Sequence, residues 1–502
     1  MIWYDSRDWK KPAPPRKAAR TPVPLPDEFV EFLREQISGD VILPDDEGYD
    51  EQRRNSNNLF DNYPTVIVMC ETTEDIACCI KVAAESKFPT VVRSGGHSTG
   101  GFSTPDDTIV INIRRKDKVD IATDGSHVWV DAGCNFGTLN AALEMRNLHM
   151  PGGACRDVCI GGYMQGGGYG FTSRIFGMNC DQVVAFDIMC ADGEIRRCDA
   201  DNEPDLFWAV RGGTGSNFGV LLRVCFKLQP SAQFAGFSVR WDLGAPFGAE
   251  YAANALAFLQ SEFSHEEVND DLGFQMIWVY EGPEGQLRKP YLLMRGMYKG
   301  GREKMLDLLE PVLKLPGAVL EYEFSPLPYT MLNTILLTVP YEVPQFPRDM
   351  ETVPPESKLS RILSRALDTS QWRTLIDHFL KSPNDYTTIA MEMYGARINK
   401  MDKDDNAFQH RDDYCDLFCD VFWTTEDERT KMEAYIQEWE KAVDPFWDGS
   451  VYQNYPRPGD HRFSGEFWTP EAYRRLCDIK RETDPNNVFR FPQGVGILTS
   501  ES

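Results

Sequence analysis

Three glycine-rich segments close apolar stretches, and together they hold the residues best suited to gripping a large anionic ligand. SGGHSTGG (94–101) follows the run FPTVVR, MPGGACRDVCIGGYMQGGGYG spans 150–170, and RGGTGSNFG spans 211–219. Glycines at strand ends let backbone N–H groups approach an anion closely. Three such loops point to a phosphate-bearing ligand of some size. None is the dinucleotide fingerprint, which needs spaced glycines opening a helix and an acidic residue about 20 positions on. None is a P-loop, because no Lys-Ser/Thr pair follows the glycines. His97 lies inside the first loop and Cys155 inside the second. Neither has a partner at metal-ligand spacing, so no metal is expected. On their own, the histidine reads as a loop residue and the cysteine as a small buried hydrophobe.

The loops need elements to hold them. PTVIVMC reads as a buried strand, TTEDIACCIKVAAESK as a Thr-capped helix, FPTVVR as a second strand and DDTIVINI as a third. From 119 to 229, short strands (HVWVDAG, VVAFDIMCADGEIRRC, GVLLRVCFKLQP) surround a helix, FGTLNAALEMRN. After Pro230 the texture changes. Strand candidates FSVRWDL, FQMIWVYE, YLLMRGMY, TIAMEMYG and DLFCDVFW alternate with helices expected near 249–261, 301–314, 357–381 and 425–442. An antiparallel sheet covered by helices is expected there, as a second domain over 231–445, with 446–502 returning to the first. The fold class expected is α+β.

Composition narrows the partners. Asp and Glu number 77 against 52 Lys and Arg, a net charge of −25, which argues against nucleic acid and anionic membrane surfaces. No apolar run approaches the roughly 20 residues of a spanning helix. Thirteen cysteines with no framework spacing suit a reducing compartment. A cytoplasmic location is expected from the absence of a signal-type stretch, with secretion the alternative if a leader has been removed. The first 29 residues, rich in Pro, Lys and Arg, read as an extended arm.

Five blocks in order, VVRSGGHSTGGFS, PGGACRDVCIGGYMQGGGYG, LFWAVRGGTGSNFGV, YQNY and DPNNVFRFPQGV, closely resemble the berberine-bridge-enzyme-like flavoprotein oxidases of the vanillyl-alcohol-oxidase superfamily. The resemblance covers roughly residues 60–230 and 385–495. It implies FAD held by a flavin domain, 1–230 with 446–502, beneath a substrate domain, 231–445. It also implies bicovalent attachment, His97 bonding to the 8α-methyl and Cys155 to C6. Arg93, Ser94, Gly95, Gly96 and Ser98 would line the pyrophosphate. Gly161, Gly162, Gly166 and Gly167 would pass the flavin edge. Gly219 and Val220 would pack near the adenine half, and Asn454 would touch the cofactor. Many relatives carry Cys-Pro-Thr where this chain has Cys155-Arg156-Asp157, which leaves single attachment through His97 open. Val158, at the oxygen-gating position, resembles the oxygen-reactive members.

The same resemblance makes Tyr455 the catalytic base, with Tyr452 beside it and Asp416 assisting; Asp420, four residues on along the strand, is the rival. Free tyrosine titrates near 10, so it needs such help at neutral pH. Trp278, Tyr280 and Tyr394 are expected to border a substrate cleft, and His410 and Arg411 to hold local structure. The implied activity is hydride transfer from a small hydroxylated or phenolic molecule to flavin N5, with dioxygen reduced to hydrogen peroxide. A flavin-linked dehydrogenase, an oxidative cyclase and a flavin-binding protein without turnover are the competing readings. A monomer or homodimer is expected.

Overall fold

The computed structural model describes residues 20–263, 270–283, 285–338, 340, 341, 344–346, 353–457 and 463–496. Of the expected amino-terminal arm, residues 1–19 lie outside that range. Arg20 is held by Asp106 at 2.5 Å, and the first helix is Asp27–Gln36.

A small sheet sets Val66–Met69, Ile109–Asn112 and Thr90–Arg93 side by side in parallel, with Asp40–Ile42 antiparallel at one edge. Parallel neighbours need a crossover. Helix Thr73–Ser86, opened by a reciprocal Thr72/Asp75 capping box, carries the chain from Val66–Met69 to Thr90–Arg93, on either side of Ile109–Asn112. A second, antiparallel sheet has five strands in the order Val119–Ile121, His127–Asp131, Val220–Lys227, Val183–Met189, Ile195–Cys198. The carboxy-terminal helix Pro470–Thr483 docks back onto this part of the chain. The Lys480 ammonium, buried against Asp484 at 2.6 Å, donates to the Asn217 carbonyl at 2.6 Å.

The third sheet is the largest, with seven antiparallel strands. Their order is Val319–Leu327, Phe234–Asp242, Lys289–Lys299, Leu272–Glu281, Thr388–Met393, Cys415–Phe422, Glu356–Leu363. Helices Gly248–Phe258, Thr369–Phe379 and Glu426–Val443 cover one face, over a core containing Trp241, Trp278, Trp372 and Trp439. The opposite face contributes Ile277, Ala390 and Phe418 to the core shared with the glycine loops. The molecule is thus a mixed α+β fold, as its sequence implied.

Several elements differ from expectation. The helix expected over 357–381 is a strand, Glu356–Leu363, followed by a helix, Thr369–Phe379, whose start is marked by an Asp368/Gln371 capping box. ESKLSRIL carries Lys358 and Ser360 on one side of the strand and Leu359 and Leu363 on the other, and the buried polar residues disguise it as a helix surface. The strand Val319–Leu327 and the helix Tyr329–Thr338 had no counterpart among the expected elements. Trp278 and Tyr280 correct the expected cleft lining. Both point under the helices, where Trp278 packs on Trp372 and Trp439 and the Tyr280 hydroxyl donates to the Phe379 carbonyl at 3.2 Å.

Candidate active site

The three glycine loops converge on one long cavity, bordered by Ser94, His97, Val158, Gly162, Gly215 and Asn454 among others. Their mutual hydrogen bonds explain the convergence. The Gln165 carbonyl accepts from Gly212 and Thr214, at 3.0 and 2.9 Å, joining the second loop to the third. The Ser216 hydroxyl accepts from the Val92 N–H at 2.9 Å, joining the third loop to the strand before the first. The second loop is stapled to the end of the five-stranded sheet by Ile160 N–H to Cys134 O and Gly161 N–H to Ala132 O, both 2.9 Å. Gly219 turns at φ +150°, a conformation and a space closed to larger residues, since a Cβ there would lie 2.3 Å from the Met189 carbonyl oxygen.

Gly95, Gly96, Ser98, Gly161 and Gly219 also border the cavity. Five expected contacts do not, Cys155 among them. The Arg93 guanidinium turns away and donates to the carbonyls of Gln52 and Arg54, and burial lowers its pKa to about 10. Gly166 and Gly167 are crossing points: a Cβ would strike the Asn454 amide at 2.2 Å or the Phe408 ring at 2.6 Å. Val220 is buried in its strand, while its neighbours Gly219 and Leu221 border the cavity.

His97 lies at the junction of this cavity and a polar bay lined by Arg54, Asn112 and Arg114. Its Nε2 stands 3.1 Å from an Asp157 carboxylate oxygen. Cys155 is buried, and burial, with Asp157 nearby, pushes its thiol up to about 12. A second thiol, Cys159, borders the cavity itself; it receives the Arg114 guanidinium and donates to Gly133 O at 3.1 Å. All thirteen cysteines are free.

The residues expected to do acid–base work separate into distinct environments. Tyr455 donates to Glu392 Oε1 at 2.8 Å, and both side chains are buried. Asp416, the expected assistant, instead accepts from the Ser360 hydroxyl at 2.6 Å. It stands directly across the strand pair from Glu392. Asp420, the rival, is paired with Lys358. Side-chain alternation puts Glu392, Asp416 and Asp420 on the same face, but only Glu392 meets the tyrosine. Glu392 is therefore the residue that sequence reasoning missed. Its signal was available: a carboxylate inside the apolar strand TIAMEM needs a reason, as Asp416 did.

Tyr452 sits against the glycine loops. Its phenol oxygen accepts from the N–H groups of Gly168 and Tyr169, at 3.0 and 3.1 Å, and from Asn454 Nδ2 at 2.9 Å. It clasps the glycine run, while Asn454 also reaches the Tyr163 carbonyl at 3.0 Å. His410 and Arg411 hold structure as expected: Arg411 forms a buried ion pair with Asp181 at 2.7 Å, and His410 approaches Asp413 at 3.4 Å. Tyr394 is fully buried, stacked on Tyr169.

Burial sets the protonation. It pushes Glu392 up to about 7, with the Tyr455 hydrogen bond opposing, and pushes Asp416 up to about 8, reinforced by Glu392. Burial and the Glu392 charge hold the Tyr455 phenol well above its usual 10. The arrangement is a tyrosine that keeps its proton, backed by a carboxylate able to accept one near neutrality.

The residues around the cavity suit a flavin nucleotide. Gly162 has nothing within 4 Å of where a Cβ would stand, so a side chain would intrude on the space the loops leave. Gln453 Oε1 is buried at the cavity wall with no hydrogen-bond partner among the described residues.

Comparison with known proteins agrees. Residues 64–199 match the FAD binding domain family, and residues 451–496 match the berberine and berberine-like family. The chain is similar to the uncharacterised FAD-linked oxidoreductase YgaK of Bacillus subtilis (strain 168), 27% identical over 481 residues, covering 92% of this chain and 98% of that protein. It is similar to the tetrahydroberberine oxidase of Berberis wilsoniae, 26% identical over 443 residues, covering 82% and 81%. Among solved structures, a chitooligosaccharide oxidase superposes with a TM-score of 0.82 at 20% identity, covering 94% of this chain and 100% of that one.

Proposed function

We propose that this chain, which matches the FAD binding domain and berberine-like families in part and is similar to FAD-linked oxidoreductases, oxidises a small hydroxylated or phenolic molecule and delivers the electrons to dioxygen. The observation that carries this reading is the buried Tyr455–Glu392 hydrogen bond, whose tyrosine directly follows Gln453 and Asn454 at the cavity wall. Bound FAD supplies the two-electron acceptor at ring atom N5, and His97 and Cys155 are the residues to tether it.

The chain's own work is proton management. Tyr455 takes the proton of the substrate hydroxyl and passes its own to Glu392. A standing phenolate is excluded by burial beside a carboxylate, so Tyr455 relays and Glu392 stores the proton. Asp416 stands across from Glu392 and holds a proton to higher pH, which spares the site two adjacent anions. Val158 flanks the cavity as a small β-branched wall, in keeping with oxygen access. Residues 1–230 with 446–502 would carry the cofactor, and 231–445 would present the substrate through the polar face of the seven-stranded sheet.

The test is peroxide release across a panel of sugars, aryl alcohols and phenolic metabolites, paired with anaerobic bleaching of the flavin. Bleaching with peroxide on readmitting air supports the oxidase. Bleaching with no peroxide, and reoxidation only by a dye, would make it a dehydrogenase.

A further inference from the structure

We infer that Asp157 is a positioning residue for cofactor attachment: it holds the proton of His97 on Nε2 and so makes Nδ1 the atom that bonds to the flavin. The inference rests on the reading of His97 as a tether and extends it to a named atom and a named partner.

The geometry is specific. The Asp157 carboxylate lies 3.1 Å from His97 Nε2, with the carboxylate nine-tenths buried and the imidazole mostly so. A neutral imidazole carries one N–H, and a carboxylate that only accepts selects the tautomer with that hydrogen facing it. The lone pair then resides on Nδ1. His97 itself is held at the mouth of two cavities by a turn at Gly95–Gly96. A Cβ at Gly95 would meet the imidazole Cδ2 at 3.2 Å, and Gly96 adopts φ +76°. Asp157 is fixed independently, because flanking backbone groups staple its loop: Gly137 donates to Arg156 O at 2.7 Å and Phe136 to Val158 O at 3.0 Å. Two anchored backbones thus hold the pair in register.

The step balances as follows. The 8α-methyl carbon loses one hydrogen as a proton, and a carbon–Nδ1 bond forms. The two electrons released go to dioxygen, which leaves as hydrogen peroxide with that proton and one from solvent. The imidazole keeps its Nε2 hydrogen and becomes a cation. Asp157 is then its counter-ion, so the same carboxylate that orients the nucleophile also stabilises the charge that attachment creates. The Cys155-Arg156-Asp157 departure from Cys-Pro-Thr acquires a purpose in this chain: the third position supplies an anion.

The experiment uses the Cys155→Ala protein, in which His97 is the sole tether, and compares it with the additional changes Asp157→Ala, Asp157→Asn and Asp157→Thr. Covalent flavin is read by intact mass after acid precipitation, and the linked atom by NMR of the released flavin peptide. Expected are linkage at Nδ1 in the parent, at least about a tenfold slower linkage in Asp157→Ala, and an intermediate rate in Asp157→Asn, which keeps an acceptor but loses the charge. Asp157→Thr, isosteric with a residue relatives carry, should also be slower than the parent, and its near-native size guards against misfolding. Equal rates in all four proteins, or linkage through Nε2, overturn this inference while leaving His97 as the tether. A parent with no linked flavin overturns the tether and the inference together, whereas the oxidase reading would survive with dissociable FAD.

Discussion

The two faces of the seven-stranded sheet are built from the same strands and do opposite things. On the helix-covered face, Trp278, Met391, Leu417 and Cys419 fill a dry core with no charges among them. On the face toward the glycine loops, the intervening residues are Glu392, Asp416 and Asp420, with Lys358 and Glu356 on the neighbouring strand, all buried. The first face converts apolar area into stability. The second accepts the desolvation of five ionisable groups, which hydrophobic residues of like volume would avoid. The lesson is that charge retained at such a cost marks where chemistry is done.

The contrast can be broken most sharply at Tyr455. Tyr455→Phe should slow substrate-driven flavin reduction by about 10²–10⁴-fold in stopped-flow while leaving the melting temperature nearly unchanged. An unimpaired rate would return Glu392 to a structural role. Next in size is Glu392→Gln, expected to cost about 10²-fold. In the parent, kcat/KM should rise with pH through about 7, because Glu392 accepts a proton only once ionised and burial has raised its pKa there. The Gln variant should lose that rise.

On the dry face, Trp278→Ala should destabilise the fold by about 3–5 kcal/mol in denaturant unfolding, with turnover per folded molecule preserved. Lys358→Met is comparable in size but differs in kind: it strands Asp420 and Glu356 without their lysine and should cost about 3–5 kcal/mol, part of it recovered in Lys358→Met/Asp420→Leu. Failure of the double change to recover would mean that the pair serves binding rather than mutual compensation. The smallest effect is expected from Asp416→Asn. Asp416 still holds its proton where Glu392 ionises, so the acid limb near pH 7 should stay in place, with less than about a tenfold change in rate at pH 8.

Much of the site could be read along the chain because it is made of local patterns. His97, Cys155 and the three glycine loops are contiguous motifs, and each loop folds around its own turns. The five strands expected beyond Pro230 were legible for a similar reason, being apolar runs buried on both sides. Glu356–Leu363 was not, since its inward residues are polar only because they face a site assembled from elsewhere. Glu392 escaped notice likewise: nothing within TIAMEM says which carboxylate a tyrosine 63 residues away will meet.

Residue order alone therefore pointed to the cofactor class, the loops that line the cavity and the α+β architecture, because short-range spacing encodes turns, caps and strand ends. Only the folded chain decided that Glu392 rather than Asp416 or Asp420 bonds to Tyr455, that Tyr452 bonds to the Gly168–Tyr169 backbone, and that Asp157 meets His97. Those pairings depend on strand register and on which face each residue takes, and both are set when distant segments pack together.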